Sequence, residues 1–161
     1  MTKGVGESDI TIHAGSYHLA LKAAGIERAN IMTYSSILPG IANEIPQPHI
    51  YKHGEVMESI MAVATGNRGE RVSAGIIYGW MKNRITGKRY GGLVYEHNGT
   101  YDLNELHRLL HASLDELYYN GFDEEFELLE PTIVSESFVP EKRFGTALVA
   151  ICFVNYLYPV I

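Results

Sequence analysis

The segment from Asp102 to Gly121 is the feature that most restricts the possible folds of this chain. Asp102 followed by Glu105 is a capping box, and Asn120-Gly121 is a typical helix end. The residues between them place leucines on one face of a helix: Leu103, Leu106, Leu110, Leu114 and Leu117. The sequence therefore predicts a long amphipathic helix, one of two that pack on a β core.

A second, shorter helix is predicted from Gly15 to Gly25, with Ser16 as its N-cap. Three prolines and Gly40 make 39–48 a loop. Strands are predicted at 30–34, 55–64, 72–80, 91–96, 127–138 and 144–156. Grouped strands with only two helices indicate the α+β class, here a four-layer αββα-type sandwich with a mainly antiparallel β core.

Composition limits the classes of partner. The chain has 161 residues, of which 46% are hydrophobic, so 1–161 is expected to form one domain. Thirteen basic and 19 acidic residues give a formal charge of −6, which argues against nucleic acid or anionic lipid as a partner. The only cysteine is Cys152, and the sequence has neither an apolar leader nor a membrane-length apolar stretch. We expect a cytoplasmic protein that does not cross a membrane.

The adjacent serines Ser35 and Ser36 lie after the predicted strand 30–34 and before a proline. If the Ser36 hydroxyl attacks the Ser35 carbonyl, the peptide bond becomes an ester. β-Elimination then leaves dehydroalanine, which hydrolyses to a pyruvoyl group. Serine pairs more often cap turns or face water, so the dipeptide alone leaves both interpretations open.

Several further motifs, taken in order, make the chain resemble the pyruvoyl-dependent arginine decarboxylase family. They are Ala24-Gly25-Ile26, Asn30 six residues before Ser36, Ser35-Ser36-Ile37-Leu38-Pro39, Gly92-Leu93-Val94-Tyr95-Glu96, Gly121-Phe122 and Lys142-Arg143-Phe144-Gly145. The resemblance implies self-cleavage into a β chain, 1–35, and an α chain, 36–161, that begins with a covalent pyruvoyl cofactor made from Ser36. It also implies a homotrimer of processed αβ units, with each site between subunits, where the segment from His18 to Ser35 meets a neighbour's Glu96.

The resemblance also assigns roles to side chains. The pyruvoyl ketone would form a Schiff base with an amino acid and accept the electrons released as carbon dioxide leaves. Glu96 would protonate the resulting carbanion, which requires burial beside residues 93–95 to keep its carboxyl group protonated; a glutamate facing water is the alternative. Asn30 would stabilise the oxyanion or hold the scissile loop, and the new carboxylate of Ser35 would help to bind the substrate.

Position 18 departs from the family pattern. Family members that decarboxylate arginine carry an aspartate where this chain has His18, and that carboxylate pairs with the guanidinium group. Imidazole offers at most one acceptor and repels a cation when it is protonated. Leu21, one turn further along, could still line the pocket, and Glu27 or an acidic residue of a neighbouring subunit could replace the missing charge.

The sequence is therefore compatible with three functions. The first is decarboxylation of arginine to agmatine, and the second is the same chemistry on a different amino acid. The third is an uncleaved, non-catalytic homologue that serves as an assembly subunit. His107 and His111 have the spacing of adjacent ligands on a helix but lack a third ligand, so no metal is expected. Gly4-Val5-Gly6 has no predicted strand before it, which argues against a dinucleotide site.

Overall fold

The computed structural model describes residues 1–45 and 48–155. The helical segments are a π-helical turn at Ile12–Tyr17 that continues into α1 at His18–Ala23, and α2 at Leu103–Tyr119. The strands are β1 Thr2–Ser8, β2 Asn30–Thr33, β3 Ile37–Pro39, β4 Val56–Asn67, β5 Val72–Asn83, β6 Arg89–Gly99, β7 Phe126–Leu128, β8 Thr132–Phe138 and β9 Phe144–Phe153.

Across the described ranges these strands form two sheets. The first sheet has the order β1-β9-β4-β2. The second has the order β3-β6-β5, and β7 and β8 pair with successive parts of the other edge of β5. β2 runs parallel to β4, and every other pairing is antiparallel. The predicted antiparallel β core is therefore confirmed.

The two sheets face each other across an apolar layer. Strands β4 and β9 contribute to it from the first sheet, and β5 and β6 contribute from the second. Its buried members include Ile60, Ala62, Val149, Ala74, Ile76 and Val94. Because side chains alternate along a strand, the opposite face of each sheet is left to be covered by a helix.

Each helix covers one outer face. Helix α1 packs on the first sheet through Ala20 and Leu21, and the residue that follows it, Ala24, packs there too. Helix α2 packs on the second sheet through Leu106, Leu110 and Leu114. The order helix, sheet, sheet, helix confirms the predicted α+β sandwich of αββα type. No helix in the described part of the chain has both the length and the apolarity needed to span a bilayer.

Strand β1 was not predicted, because two of its seven residues near the centre are glycines. Its position explains them. A Cβ atom at Gly4 would overlap the carbonyl oxygen of Ala20, and one at Gly6 would overlap that of Ser16. Glycine at both positions lets the helical segment lie directly against the strand.

The N-cap prediction at Ser16 is wrong. The helical segment begins at Ile12, and Ser16 lies inside it, fully buried. The Ser16 Oγ atom is 2.9 Å from the Thr146 Oγ1 atom. A buried hydroxyl needs a partner, and Thr146 on β9 supplies it. Ser16 therefore joins the helix to the first sheet instead of starting the helix.

The start of α2 and the break between β7 and β8 are explained by local hydrogen bonding. The Asp102 side chain accepts a hydrogen bond from the Glu105 backbone N–H at 2.9 Å, which confirms the predicted start of α2. The predicted strand at 127–138 is divided into β7 and β8, and Pro131 in the break has no N–H to donate. The last predicted strand reaches Phe153, while Tyr156 at its expected end lies outside the described residues, as does Pro46 in the predicted loop.

Candidate active site

Residues 34–36 carry the chain from the first sheet to the second. The Tyr34 N–H donates to the Ser59 carbonyl on β4 at 2.8 Å, which is the last backbone contact with the first sheet. The Val94 N–H then donates to the Ser36 carbonyl at 3.0 Å, which is the first contact with the second sheet. Ser35 lies between these two anchors, so the predicted scissile bond sits in a short crossing held at both ends.

The Ser36 hydroxyl lies next to a carboxylate. Ile37 on β3 is opposite Leu93 on β6, so Ser36 is opposite Val94 and diagonal to Glu96. The Ser36 Oγ atom donates to the Glu96 Oε2 atom at 3.1 Å. Both residues are half-buried, at the margin of the layer between the sheets. The predicted nucleophile and the predicted acid–base residue therefore meet within a single chain.

The backbone at Ser36 makes a three-residue turn. The Ile37 N–H donates to the Ser35 carbonyl oxygen at 3.0 Å, and Ser36 is the central residue of this turn. The Ser35 side chain is exposed. Sequence patterns do not reveal the turn, because its hydrogen bond joins a backbone N–H and a backbone carbonyl that every residue type except proline possesses.

Asn30 does not contact the serine pair within one chain. It begins β2, at the opposite end of the strand from the crossing that carries Ser36. Its side-chain amide donates to the Gly54 carbonyl at 3.0 Å, and its backbone N–H donates to the Glu55 carbonyl at 2.8 Å. In the isolated chain, Asn30 thus fixes the turn before β4.

His18 and Leu21 also lie apart from Ser36, because they belong to α1 on the outer face of the first sheet. His18 is exposed. Leu21 is only 9% exposed and packs in the core beneath the helix. Within one chain the structure therefore brings Ser35, Ser36 and Glu96 together, and leaves the proposed substrate-binding helix elsewhere.

The loop that follows β3 has an anchor that sequence patterns did not reveal. The Arg89 guanidinium donates from Nε to the Gly40 carbonyl at 2.8 Å and from Nη2 to Asn43 Oδ1 at 3.2 Å. Its carbon atom Cζ lies 4.5 Å from the centroid of the Trp80 ring. Arg89 precedes the recognised Gly92 motif, and its two hydrogen-bond acceptors lie more than 40 positions earlier, so no local signal marks it.

The two histidines on α2 do not form a ligand set in this chain. The His107 Nε2 atom lies 2.8 Å from the Ser135 Oγ atom on β8. Among the residues that the structure describes, no three His, Cys, Asp or Glu side chains converge as metal ligands. Cys152 packs against the core beneath α1, and burial raises the pKa of its thiol. That environment agrees with the expected role of a small apolar residue.

Comparison with known proteins identifies similar sequences along nearly the whole chain. The sequence model of a family described as pyruvoyl-dependent arginine decarboxylase matches residues 1–157. A pyruvoyl-dependent arginine decarboxylase from Methanopyrus kandleri is 30% identical over 150 residues, which cover 93% of this chain and 91% of that protein.

Chlamydial proteins are also similar, over a shorter stretch. The pyruvoyl-dependent arginine decarboxylase AaxB of Chlamydia muridarum is 37% identical over 111 residues, or 60% of this chain. AaxB of Chlamydia trachomatis serovar L2 is 36% identical over the same length. Each match covers 55% of the chlamydial protein, so this chain spans about half the length of those relatives.

Proposed function

This chain belongs to the pyruvoyl-dependent arginine decarboxylase family, and on that premise we propose that it is a self-processing amino-acid decarboxylase. The observation that carries the proposal is the 3.1 Å hydrogen bond from the Ser36 hydroxyl to the Glu96 carboxylate. A serine hydroxyl is a weak nucleophile until a nearby base accepts its proton. Glu96 is within hydrogen-bonding distance to do so.

Self-cleavage would begin with addition of the Ser36 Oγ atom to the Ser35 carbonyl carbon, while Glu96 takes the hydroxyl proton. The bond from that carbon to the Ser36 nitrogen breaks, and the nitrogen takes the proton back, which leaves an ester. Loss of the Ser36 Cα proton then breaks the Cβ–Oγ bond and releases Ser35 as a carboxylate. Hydrolysis of the remaining dehydroalanine releases ammonia and leaves a pyruvoyl group at position 36. The products would be chains 1–35 and 36–161.

The surroundings of position 36 suit such a group. The carbonyl of residue 36 accepts the Val94 N–H at 3.0 Å, which would hold the new chain end on β6 after cleavage. Leu38, two residues further along, is buried between the sheets and anchors the same short strand. When present, a pyruvoyl group supplies a carbonyl that binds an amino group and withdraws electrons during loss of carbon dioxide.

Glu96 would then serve a second time. Its carboxyl group lies beside position 36, and a protonated Glu96 would return a proton to the substrate carbon that has lost carbon dioxide. The residue is half-buried, which limits its contact with water. One side chain would thus accept a proton during cleavage and donate one during decarboxylation.

Arginine is the substrate that we propose first, because the similar proteins are named arginine decarboxylases. His18 weakens that assignment, since an imidazole does not pair with a guanidinium as a carboxylate does. A different amino acid is therefore the second candidate. Carbon dioxide release measured across single amino acids separates the two, and rapid turnover of arginine alone would reject the second.

We also propose assembly as a homotrimer. Asn30 and the His18–Leu21 segment do not contact Ser36 within one chain, so a neighbour would have to supply them. Exposed apolar side chains in and around β2 and β3 support self-association: Met32, Ile37, Ile41, Ile45 and Val56. Light scattering of the purified protein tests the expected mass of three chains. The cytoplasmic location stays a prediction.

Denaturing mass spectrometry of the purified protein tests the central proposal. We expect two chains that divide between Ser35 and Ser36, the larger starting with a pyruvoyl group that reacts with hydrazine. Ser36→Ala should remove both the cleavage and the carbon dioxide release. A wild-type chain that stays intact, with no reactive carbonyl, would contradict the proposal and favour the non-catalytic assembly subunit.

A further inference from the structure

We propose that the backbone N–H of Ile37 is the oxyanion donor for the self-cleavage of this chain. The inference rests on the proposed function and adds a catalytic group to it. When the Ser36 hydroxyl adds to the Ser35 carbonyl carbon, negative charge develops on the Ser35 carbonyl oxygen. The Ile37 N–H already donates to that oxygen, at 3.0 Å, before any bond has formed.

The strand register explains why this donor is available. Ser36 accepts a hydrogen bond from Val94, so Ser36 and Val94 form a hydrogen-bonded pair across β3 and β6. In an antiparallel ladder the next pair, Ile37 and Leu93, does not exchange backbone hydrogen bonds. The Ile37 N–H therefore points away from β6, and β3 is the edge strand of its sheet. The turn directs this free donor to the Ser35 carbonyl.

The Ile37 N–H and Glu96 act on different atoms of the same step. Glu96 accepts the proton from Ser36 Oγ, whereas the Ile37 N–H stabilises the oxygen that gains the electron pair of the carbonyl. A donor that is fixed before the reaction needs no reorganisation when the charge appears. The two groups come from different strands, one from β6 and one from β3 itself. Together they account for the proton that leaves Ser36 Oγ and for the negative charge that develops on the Ser35 carbonyl oxygen.

The experiment compares Ile37→Pro with Ile37→Val. Proline removes the N–H and valine keeps it, and no ladder hydrogen bond is lost because the N–H faces the open edge. The side chain is 56% exposed, so neither change empties the core. Cleavage is followed by denaturing gel and mass spectrometry after synthesis. We expect the proline variant to cleave on the order of 10²–10³-fold more slowly than the valine variant.

Hydroxylamine at neutral pH identifies the step that is slowed, because it cuts an ester at position 36 but leaves ordinary peptide bonds intact. The fragment measured is 1–35, whose mass distinguishes it from any cut at Asn98-Gly99 or Asn120-Gly121. A missing oxyanion donor slows formation of the ester, so hydroxylamine should release no additional fragment from folded Ile37→Pro protein. If ester accumulates, the defect lies in elimination and the inference is wrong. If the proline and valine variants cleave at equal rates, it is also wrong.

A proline at position 37 also restricts the backbone of Ser36, and the proline variant could fail to fold for that reason alone. A second substitution therefore removes the N–H without introducing a proline ring. Incorporation of the α-hydroxy acid analogue of isoleucine at position 37 replaces the N–H by an ester oxygen. Slow cleavage between residues 35 and 36 in this protein supports the inference, and cleavage at the wild-type rate overturns it. Failure of the proposed function looks different, because the wild-type chain itself would then stay intact.

Discussion

The Ser36 hydroxyl and the Glu96 carboxylate meet at 3.1 Å although 60 residues separate them in the sequence. β3 is only three residues long, and its pairing with β6 puts the side chains of Ser36 and Glu96 on the sheet face that packs against the first sheet. A shift of β3 by one residue along β6 would turn Ser36 to the opposite face, because Glu96 is held in place by the long pairing of β6 with β5. The short edge strand therefore aligns the proposed nucleophile, Ser36, with its proposed base, Glu96.

Glu96→Gln should slow self-cleavage, because an amide does not accept the Ser36 proton as a carboxylate does. General-base catalysis typically contributes about 10²–10⁴-fold, and we expect a loss in that range. The rate is measured by mass spectrometry of the intact and cleaved chains. Glu130→Gln is the matched control, since Glu130 is exposed and lies on the segment between β7 and β8. Cleavage of the Glu96 variant at the control rate would show that the carboxylate is not the base.

His18→Asp should raise kcat/KM for arginine if a neighbouring subunit brings α1 to the active site. A carboxylate pairs with a guanidinium through two hydrogen bonds, and charge-assisted bonds contribute about 1.5–3 kcal/mol. We therefore expect an increase of at least about 10-fold in carbon dioxide release from arginine. His13→Asp adds the same charge at another exposed position of the same helical segment. Equal effects of the two changes would mean that only overall charge matters.

Gly6→Ala should destabilise the fold, because the new Cβ would overlap the Ser16 carbonyl oxygen where the helical segment crosses β1. Crowding of this kind in a packed region typically costs about 1–3 kcal/mol. Gly121→Ala is the control, since a Cβ at Gly121 meets no atom within 4 Å. Urea denaturation of both variants measures the difference. Equal midpoints would contradict the close approach of β1 and the helix.

Arg89→Lys should loosen the loop after β3. A lysine ammonium group lacks the planar fork that contacts Gly40 and Asn43 together while it lies over Trp80. Because Arg89 is exposed, we expect a loss of only about 1 kcal/mol in the free energy of unfolding, together with faster proteolysis near Asn43. Lys88→Ala, at the adjacent exposed residue, should change neither quantity. Unchanged proteolysis in the Arg89 variant would mean that other contacts hold the loop.

Protonation of the Glu55 carboxylate should make the fold less stable in acid. The Lys52 backbone N–H and then the His49 side chain, 3.0 Å away, lower the pKa of the Glu55 carboxyl group. A lowered pKa stabilises the folded state above the unfolded-state pKa, and this contribution is lost as the pH falls through the folded-state pKa. Urea midpoints of wild type and Glu55→Gln should therefore differ at pH 7, and the difference should shrink as the pH is lowered into the acidic range below the ordinary glutamate pKa. A constant difference across that range would reject the linkage.

Local patterns determined most of the secondary structure. The leucine spacing and the Asp102 cap predicted α2, because helix periodicity and capping depend on neighbours in the sequence. The same reasoning missed β1, whose glycines are unfavourable in a strand until a helix lies against them. The same reasoning placed an N-cap at Ser16, but the Ser16 hydroxyl instead forms a hydrogen bond with Thr146, which is 130 residues away in the sequence.

The sequence by itself determined the family, because the serine pair and the Gly92–Glu96 motif are local patterns that identify it, and it singled out the residues that we propose carry the chemistry. Only the tertiary structure decided how they meet. The pairing of β3 with β6 places Ser36 beside Glu96 and leaves the Ile37 N–H free for the Ser35 carbonyl. The tertiary structure also left Asn30, His18 and Leu21 away from that point within one chain. Strand register and the crossing between sheets depend on contacts between distant segments, which no local pattern encodes.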